Sequence, residues 1–446
     1  MVETIKSAFK KLDKYNSKFL TYYLVINITW IFLGMFFCNH TLWFSYHAYS
    51  TTYVFAAVLN ILVITYINIR KKTKFDKIDI FLILLVIFGL IATIFAKNPS
   101  ISLYGYWRRY EGFGQLIYYY TLMYLSTNIK DEKNKKLIIF SILTFGLMNV
   151  FYAIIQSFNL FKSIPINHRG AKFAPGFVGH ANFFGSYMTL CLGISMGLFL
   201  YNKDKKIKSI IKVIICMLFY TGMLLSNALS SIVGLIGMAL LIIIYLIYLI
   251  KKKQVTKNLI IRHIILLVSL LSVNLVLTFS NKTVLNNDLK ELTNQVSEVS
   301  QGNLDDSYGT SRMFIWKNTI KVVPKYLLHG VGIDSFTYAF GDHTIYIMHS
   351  ETDMEYFDKA HNEYLQKLLC EGIFSCITYI GMLFTLFITS IKNTLKKQNY
   401  ITCALLLALV GYGIQAFFNI SVIEVAPLFW ISIGLLYNRK CKNLQK

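Results

Sequence analysis

Residues 228–253 read ALSSIVGLIGMALLIIIYLIYLIKKK, which is a run of 23 uncharged residues followed by three lysines. A helix of that length crosses the ~30 Å hydrocarbon core of a bilayer. The lysines predict that this end lies in the cytoplasm, because basic residues accumulate on that side of membranes. Similar runs recur along the chain, of which 55% is hydrophobic. The sequence therefore predicts a polytopic membrane protein.

The apolar runs predict an all-α fold with twelve transmembrane helices. The predicted spans are 19–38, 50–69, 78–96, 113–127, 137–158, 182–201, 210–226, 228–250, 263–280, 372–390, 400–418 and 423–438. Lysine-rich connections then alternate along the chain, which predicts that both termini are cytoplasmic. The first run lacks a small-residue cleavage site, so no removable signal peptide is expected.

This topology divides the chain into three parts. Residues 1–280 hold the first nine spans with short loops, 281–371 form a large extracytoplasmic loop with short helices, and 372–446 hold the last three spans and a cytoplasmic tail. The net charge of +23 is explained by cytoplasmic lysines and their attraction to anionic lipids. No nucleic-acid partner is expected.

Arginine is rare in this chain and unevenly placed. Only seven of the 45 basic residues are arginine, yet Arg108, Arg109, Arg169 and Arg312 all fall in predicted external segments. Orientation requires no cation there. The planar guanidinium binds phosphate or carboxylate through two parallel hydrogen bonds. The pattern predicts an anionic ligand on the external face.

The external connection at 97–112 contains Arg108, Arg109 and Glu111 within a stretch rich in tyrosine, tryptophan and glycine. This composition suits a binding segment, and it equally suits an aromatic belt at the membrane interface.

The external connection before the sixth span carries Arg169 and then a Gly- and Pro-broken approach, residues 175–182. Such an approach presents backbone N–H groups at a helix N-terminus to an anion. The alternative is an ordinary glycine-rich turn with Asn182 as the helix cap.

The large loop contains one strong helix signal. Ser311 is predicted to cap a helix that has Arg312 in its first turn, and Pro324 is predicted to end or bend it. The helix has an apolar stripe that suits the membrane surface. The stripe consists of Met313, Phe314, Trp316, Ile320 and Val323.

His361 is a candidate site residue of the large loop. It lies at the mouth of the predicted tenth span beside Asp358, Asn362 and Glu363, and neighbouring acids can fix the tautomer of an imidazole or tune its pKa.

A metal site is the competing interpretation of the loop histidines. It would combine His361 with His343, His349, Asp353 and Glu355, but their spacing matches no common ligand pattern. The seven cysteines show no paired spacing either, which indicates packing residues.

Seven motifs in this order resemble the O-antigen ligase and O-antigen polymerase superfamily over residues 78–438. The motifs are YWRRYEG (106–112), Arg169 ahead of GHANFFGSY (179–187), Ser311-Arg312 with Trp316, GVG (330–332), DKAHNEYL (358–365), QAFFNIS (415–421) and APLFW (426–430). Relatives often have Gly-Asn-Pro-Asn where this chain has Gly-His-Ala-Asn at 179–182.

The resemblance implies a multi-pass glycosyltransferase of the bacterial cytoplasmic membrane, with a GT-C-like helix bundle and neither cofactor nor essential metal. It would move a glycan from an undecaprenyl diphosphate carrier to an acceptor hydroxyl of a glycan, lipid or protein. Arg169 and Arg312 then bind the diphosphate, His361 activates the acceptor, and Arg108 and Arg109 are further candidates for the anion. The remaining expected substrate contacts are Glu111, Asn182, Asp358 and Asn362.

Two alternatives stay open from the sequence. The superfamily includes both ligases and polymerases, which differ in the acceptor. A flippase for lipid-linked glycans has a similar topology, although the spans contain few ionisable residues and no internal repeat is evident.

Overall fold

A computed structural model describes most of the chain. The described residues are 2–40, 45–71, 75–107, 109–160, 174–202, 206–283, 290, 293–295, 297–298, 300–302, 308–309, 311–340, 346–348, 354–397, 399–437 and 439.

Within this part of the chain the structure is almost entirely helical. Its α-helices are α1 Val2–His40, α2 Tyr46–Lys71, α3 Lys77–Ile94, α4 Pro99–Tyr104, α5 Phe113–Thr127, α6 Glu132–Phe158, α7 Ala181–Tyr201, α8 Lys206–Ser226, α9 Leu229–Lys251, α10 Lys257–Phe279, α11 Arg312–Val322, α12 Glu363–Lys397, α13 Tyr400–Gln415 and α14 Ala426–Leu436. Strands β1 Tyr346–Met348 and β2 Met354–Tyr356 pair antiparallel.

A helix lies at each of the twelve predicted spans, which confirms the all-helical prediction. Ten of the described helices are long and apolar enough to cross a membrane. The exceptions are α5 and α14, at the predicted fourth and twelfth spans, with 15 and 11 residues. Twelve crossings and cytoplasmic termini therefore stay predictions.

Helices α7 and α13 form the centre of the bundle. The spanning window of α7 is 94% buried, whereas that of the peripheral α10 is 11% buried. Gly193 and Gly197 of α7 face Ala408 and Ala404 of α13, so the two backbones touch. Small residues four apart permit this close approach of helices in membranes.

Gly197→Val is expected to destabilise the protein. A Cβ at Gly197 would lie 2.3 Å from the Cα of Ala404, which forces the helices apart at a cost of about 1–3 kcal/mol or more. Thermal unfolding in detergent measures the loss. Gly381→Val in α12 is the matched control, since its Cβ meets only Phe81 at an ordinary 3.4 Å. Equal midpoints for the two variants would contradict the assigned contact.

Helices α5 and α14 pack against each other inside the bundle. A Cβ at Gly434 of α14 would meet the carbonyl oxygen of Met123 of α5 at 2.6 Å. Nearly every residue of both helices is buried. Their surroundings are therefore protein and hardly lipid, which explains why polar residues such as Gln115 and Thr121 are accommodated in α5.

A buried ion pair fastens the C-terminal segment to the end of the bundle away from the large loop. Arg439 binds both carboxylate oxygens of Asp79, with Nη1 2.9 Å from Oδ2. Its Nε donates to the hydroxyl of Thr127 at 2.6 Å, and its guanidinium lies over the ring of Tyr124 at 4.3 Å. Every polar group of this contact is thereby satisfied by protein.

The large loop has a hydrophobic core of its own. Its buried residues come from α11, the segments after it and the first turns of α12, and they are Ile315, Val323, Tyr326, Val331, Phe336, Ala339, Phe357, Ala360, Leu369 and Cys370. We call the side of the bundle that carries this core the loop face. Helix α12 begins at Glu363, before the predicted span, and is interrupted at Gly372, where φ is 84°.

Two predictions about α11 were wrong in detail. Ser311 stands at the N-cap position but its side chain makes no capping bond. The predicted apolar stripe is divided, because Val323 is buried whereas Ile320 is 60% exposed. The buried face instead follows Ile315, Thr319 and Val323 at i, i+4 and i+8. The helix ends at Val322, just before Pro324, as predicted.

Candidate functional site

The segment 97–112 is fastened to the large loop through one carboxylate. Asp334 Oδ2 accepts hydrogen bonds from the backbone N–H groups of Tyr106 at 2.6 Å and Glu111 at 3.1 Å. Asp334 follows the turn at 330–332 and is 4% exposed. The backbone N–H groups of Tyr106 and Glu111 thereby converge on a buried anion supplied by the large loop.

Lys359 neutralises this anion and a second one. Its Nζ lies 2.6 Å from Asp334 Oδ1 and 3.7 Å from Glu111 Oε2. Burial alone would lower the pKa of Lys359, but the two carboxylates outweigh it and raise the pKa. Burial raises the pKa of Glu111, which Lys359 partly opposes. Ser421 and Tyr119 donate to Glu111 Oε1 at 2.6 and 3.2 Å.

Arg109 makes a second bridge between the same two segments. Its Nε and Nη2 donate to Asp358 Oδ2 and Oδ1 at 2.8 and 2.9 Å. Burial opposes ionisation of Asp358, but the hydrogen bonds and charge of Arg109 lower the pKa of that carboxyl below its usual value. The guanidinium also lies 5.6 Å from the ring centroid of Phe183 in α7.

His361 follows these ion pairs directly in the chain. Its backbone has a φ of 48°, in the left-handed region. Its pKa is lowered to about 3, first by burial and then by the charges of Arg312 and Arg109. The imidazole is therefore neutral at physiological pH, and one ring nitrogen is able to accept a proton. Asn362 caps α12, since its Oδ1 accepts from the N–H groups of Tyr364 and Leu365 at 3.0 Å.

Arg312 is the first residue of α11 and lies close enough to His361 to depress the pKa of the imidazole. Its Nη1 donates to the carbonyl of Gly309 at 2.6 Å. Burial lowers the pKa of Arg312 to about 10, so it remains charged at neutral pH.

The N-terminus of α7 opens onto the same cluster. Gly179, with a φ of 81°, and His180 are exposed and precede the helix, and no side chain caps it. The ring of His180 stacks on that of Phe183, with the centroids 4.3 Å apart. The electrostatic interaction with His180 also lowers the pKa of His361. The alternative with Asn182 as the cap is wrong. Asn182 lies in the first turn, and its carbonyl accepts from Asn419 at 3.1 Å.

A small polar cavity of about 50 Å³ lies beneath Lys359, with room for a few water molecules. Its walls include the first turns of α12, where Lys367 pairs with Glu371 at 2.6 Å. Tyr379 donates to Glu363 Oε1 at 2.6 Å. Glu363, Lys367 and Glu371 lie in the turns of α12 that precede the predicted span at 372–390.

Several predicted site residues lie outside the described residues. These are Arg108, Arg169, His343, His349 and Asp353. Among the residues that the structure does describe, no cluster of His, Cys, Asp and Glu is suited to a metal ion.

Two residues of the cluster were not identified as site residues from the sequence. Lys359 lay inside the quoted DKAHNEYL motif and Asp334 directly after the GVG turn. Their placement next to motif residues was the available signal, but their pairing across the chain was not visible. The structure brings Arg109, Arg312 and His361 together on the loop face.

The fold and this cluster define a class: a polytopic membrane protein in which arginines of two segments surround a neutral histidine at one end of the helix bundle. Residues 213–380 match the family described as O-antigen ligase. This match runs from α8 into α12 and confirms the resemblance to that superfamily over those residues. A comparison with curated proteins found no match.

Proposed function

We propose that the protein is a glycosyltransferase that moves a glycan from an undecaprenyl diphosphate carrier to an acceptor hydroxyl at the loop face, which we place outside the bacterial cytoplasmic membrane. The observation that supports this most is the grouping of Arg312, Arg109 and the N-terminus of α7 around His361. Positive charge and helix N–H groups suit a diphosphate. A neutral imidazole suits a hydroxyl that must lose a proton.

The reaction needs little covalent chemistry from the protein. The acceptor oxygen attacks the anomeric carbon, and the bond from that carbon to the diphosphate oxygen breaks. The electron pair leaves with undecaprenyl diphosphate, and the hydroxyl proton passes to His361. Arg312 stabilises the charge that develops on the leaving group, because its donors are already oriented and partly desolvated.

Burial keeps His361 weakly basic, and the charges of Arg312 and Arg109 oppose its protonation further. A bound diphosphate places negative charge against the same cations. It therefore raises the pKa of the imidazole towards its ordinary value and makes proton uptake easier. Donor binding in this way prepares the base for the acceptor.

The other predicted contacts take different roles in this proposal. Arg169 and Arg108 remain candidates for the diphosphate. Asp358 and Glu111 are engaged within the protein, by Arg109 and Lys359 respectively, so we assign them to holding the segments around the anion. Membrane lipids are the surroundings, and the acceptor is a carrier-linked repeat, a lipid, a protein or a wall polymer.

The direct test is a reaction in liposomes with an undecaprenyl-diphosphate-linked oligosaccharide and candidate acceptors. We expect release of the carrier diphosphate together with a longer glycan or a glycosylated acceptor. The product distinguishes polymerase from ligase. Movement of intact lipid-linked glycan between leaflets without any release would reject the transferase and favour the flippase.

Arg312→Lys is expected to lose most transfer activity. A lysine keeps the charge but not the planar pair of donors, and loss of a charge-assisted hydrogen bond costs about 1.5–3 kcal/mol, roughly 10- to 100-fold in rate. Initial rates at saturating donor measure this. Lys317→Arg, a reverse change on α11, serves as the control, and near-normal turnover of Arg312→Lys would remove Arg312 from the anion site.

A further inference from the structure

The residue before His361 is held from both sides. Ala360 is fully buried. Its carbonyl accepts a hydrogen bond from Trp316 Nε1 at 3.0 Å, and its N–H donates to Gln366 Oε1 at 2.8 Å. These two side chains come from different helices, α11 and α12. Both backbone polar groups of Ala360 are therefore fixed by side chains.

The residue after His361 is fixed as well. Asn362 caps α12 through Tyr364 and Leu365, and its carbonyl accepts from the N–H of Gln366 at 2.8 Å. His361 thus sits between two anchored neighbours in a left-handed conformation, which an isolated histidine adopts only at a cost. The anchors hold the backbone in the conformation that directs its side chain.

We propose that Trp316 and Gln366 are positioning residues that set the place of His361 relative to the diphosphate site. Trp316 lies one helical turn after Arg312 on α11, so the two residues share a face of that helix. The indole bond therefore ties the proposed base to the helix that carries the proposed diphosphate ligand. This inference rests on the proposed function.

The expected effect concerns turnover more than donor affinity. A base misplaced by about 1 Å can lose 10²-fold in rate, whereas Arg312 and the helix N-terminus still bind the donor. Loss of either anchor should therefore lower kcat and leave the KM for the donor nearly unchanged. Both anchors act on the backbone of the same residue, Ala360, so their effects should not add.

Conservative variants separate the hydrogen bonds from packing. Trp316→Phe retains an aromatic ring against Phe418, whose centroid is 5.8 Å away, but lacks the N–H. Gln366→Met keeps the length of the side chain and lacks the amide oxygen. Trp30→Phe is the matched control, because Trp30 Nε1 donates to Thr52 Oγ1 at 2.9 Å between α1 and α2.

The experiment measures kcat and donor KM in liposomes for these three variants, the double variant and wild type. We expect kcat to fall about 10- to 100-fold in Trp316→Phe and Gln366→Met, with donor KM within about 2-fold and Trp30→Phe like wild type. A double variant no worse than the poorer single one supports the shared anchor.

Normal kcat in both single variants, or a loss confined to KM, would overturn the positioning roles. If Trp316→Phe does not fold, Gln366→Met alone decides the question. His361→Ala distinguishes the two proposals. An inactive His361→Ala beside fully active anchor variants rejects only the positioning roles, whereas an active His361→Ala rejects the proposed base itself.

Discussion

His361→Ala is expected to lower glycan transfer by about 10²–10⁴-fold, the usual contribution of a general base, while the protein remains folded. The imidazole makes no structural hydrogen bond among the described residues. Its neighbours on both sides are anchored through other groups. Replacing the neutral imidazole by alanine also leaves no buried charge without a partner. The measurement is initial rate with saturating donor and acceptor.

His329→Ala is the control, since His329 lies in the same loop and its Nδ1 contacts the carbonyl of Gly330.

The pH dependence gives an independent check of the role of His361. Because the pKa of His361 is about 3, transfer should lose no activity on acidification through pH 6.5 when donor is scarce. With donor bound the pKa is higher, so the acid limb of kcat should lie at higher pH. If the transfer rate of His361→Ala is close to that of His329→Ala, His361 is not the base.

Lys359→Met is expected to be the most destabilising single change at the loop face. It leaves Asp334 and Glu111, which are 4% and 6% exposed, without their shared cation. Removal of one partner from a buried ion pair typically costs about 3–5 kcal/mol. The midpoint of thermal unfolding in detergent should fall markedly, and transfer should be lost because 97–112 no longer stays against the large loop.

Two further variants test the cause. Lys325→Met removes an exposed lysine from the same loop and should leave the unfolding midpoint unchanged. Lys359→Met combined with Asp334→Asn should recover part of the loss, because one buried charge is removed. A midpoint for Lys359→Met equal to that of Lys325→Met would show that the buried cluster is not held by charge.

The spanning helices were predictable because hydrophobic length is itself the property that the membrane requires. Helices α5 and α12 show where hydrophobic length alone does not determine the bounds of a helix. Helix α5 packs between α2, α3 and α14, so protein surrounds it and its 15 residues need not match the thickness of the bilayer. Helix α12 begins at Glu363, ahead of the predicted span at 372, because its polar first turns are buried against the loop core.

For the candidate site, the sequence indicated the types of residue but not which charged side chains would form ion pairs. Arg312 and His361 were identified because guanidinium and imidazole suit the chemistry. Glu111 and Asp358 were expected as substrate contacts, and the structure pairs each of them with a cation of the protein. A single sequence does not show which charge meets which, because such contacts join segments more than two hundred residues apart.

Asp334 accepts hydrogen bonds from the backbone N–H groups of Tyr106 and Glu111, and these two bonds do not depend on which side chains the segment carries. Over evolutionary time a lineage can then exchange residues such as Trp107 while the segment stays in place. Asp334 and Lys359 have no such freedom, because each is buried against the other's charge. We therefore expect sequence changes in this segment to be tolerated more readily than changes to Asp334 or Lys359.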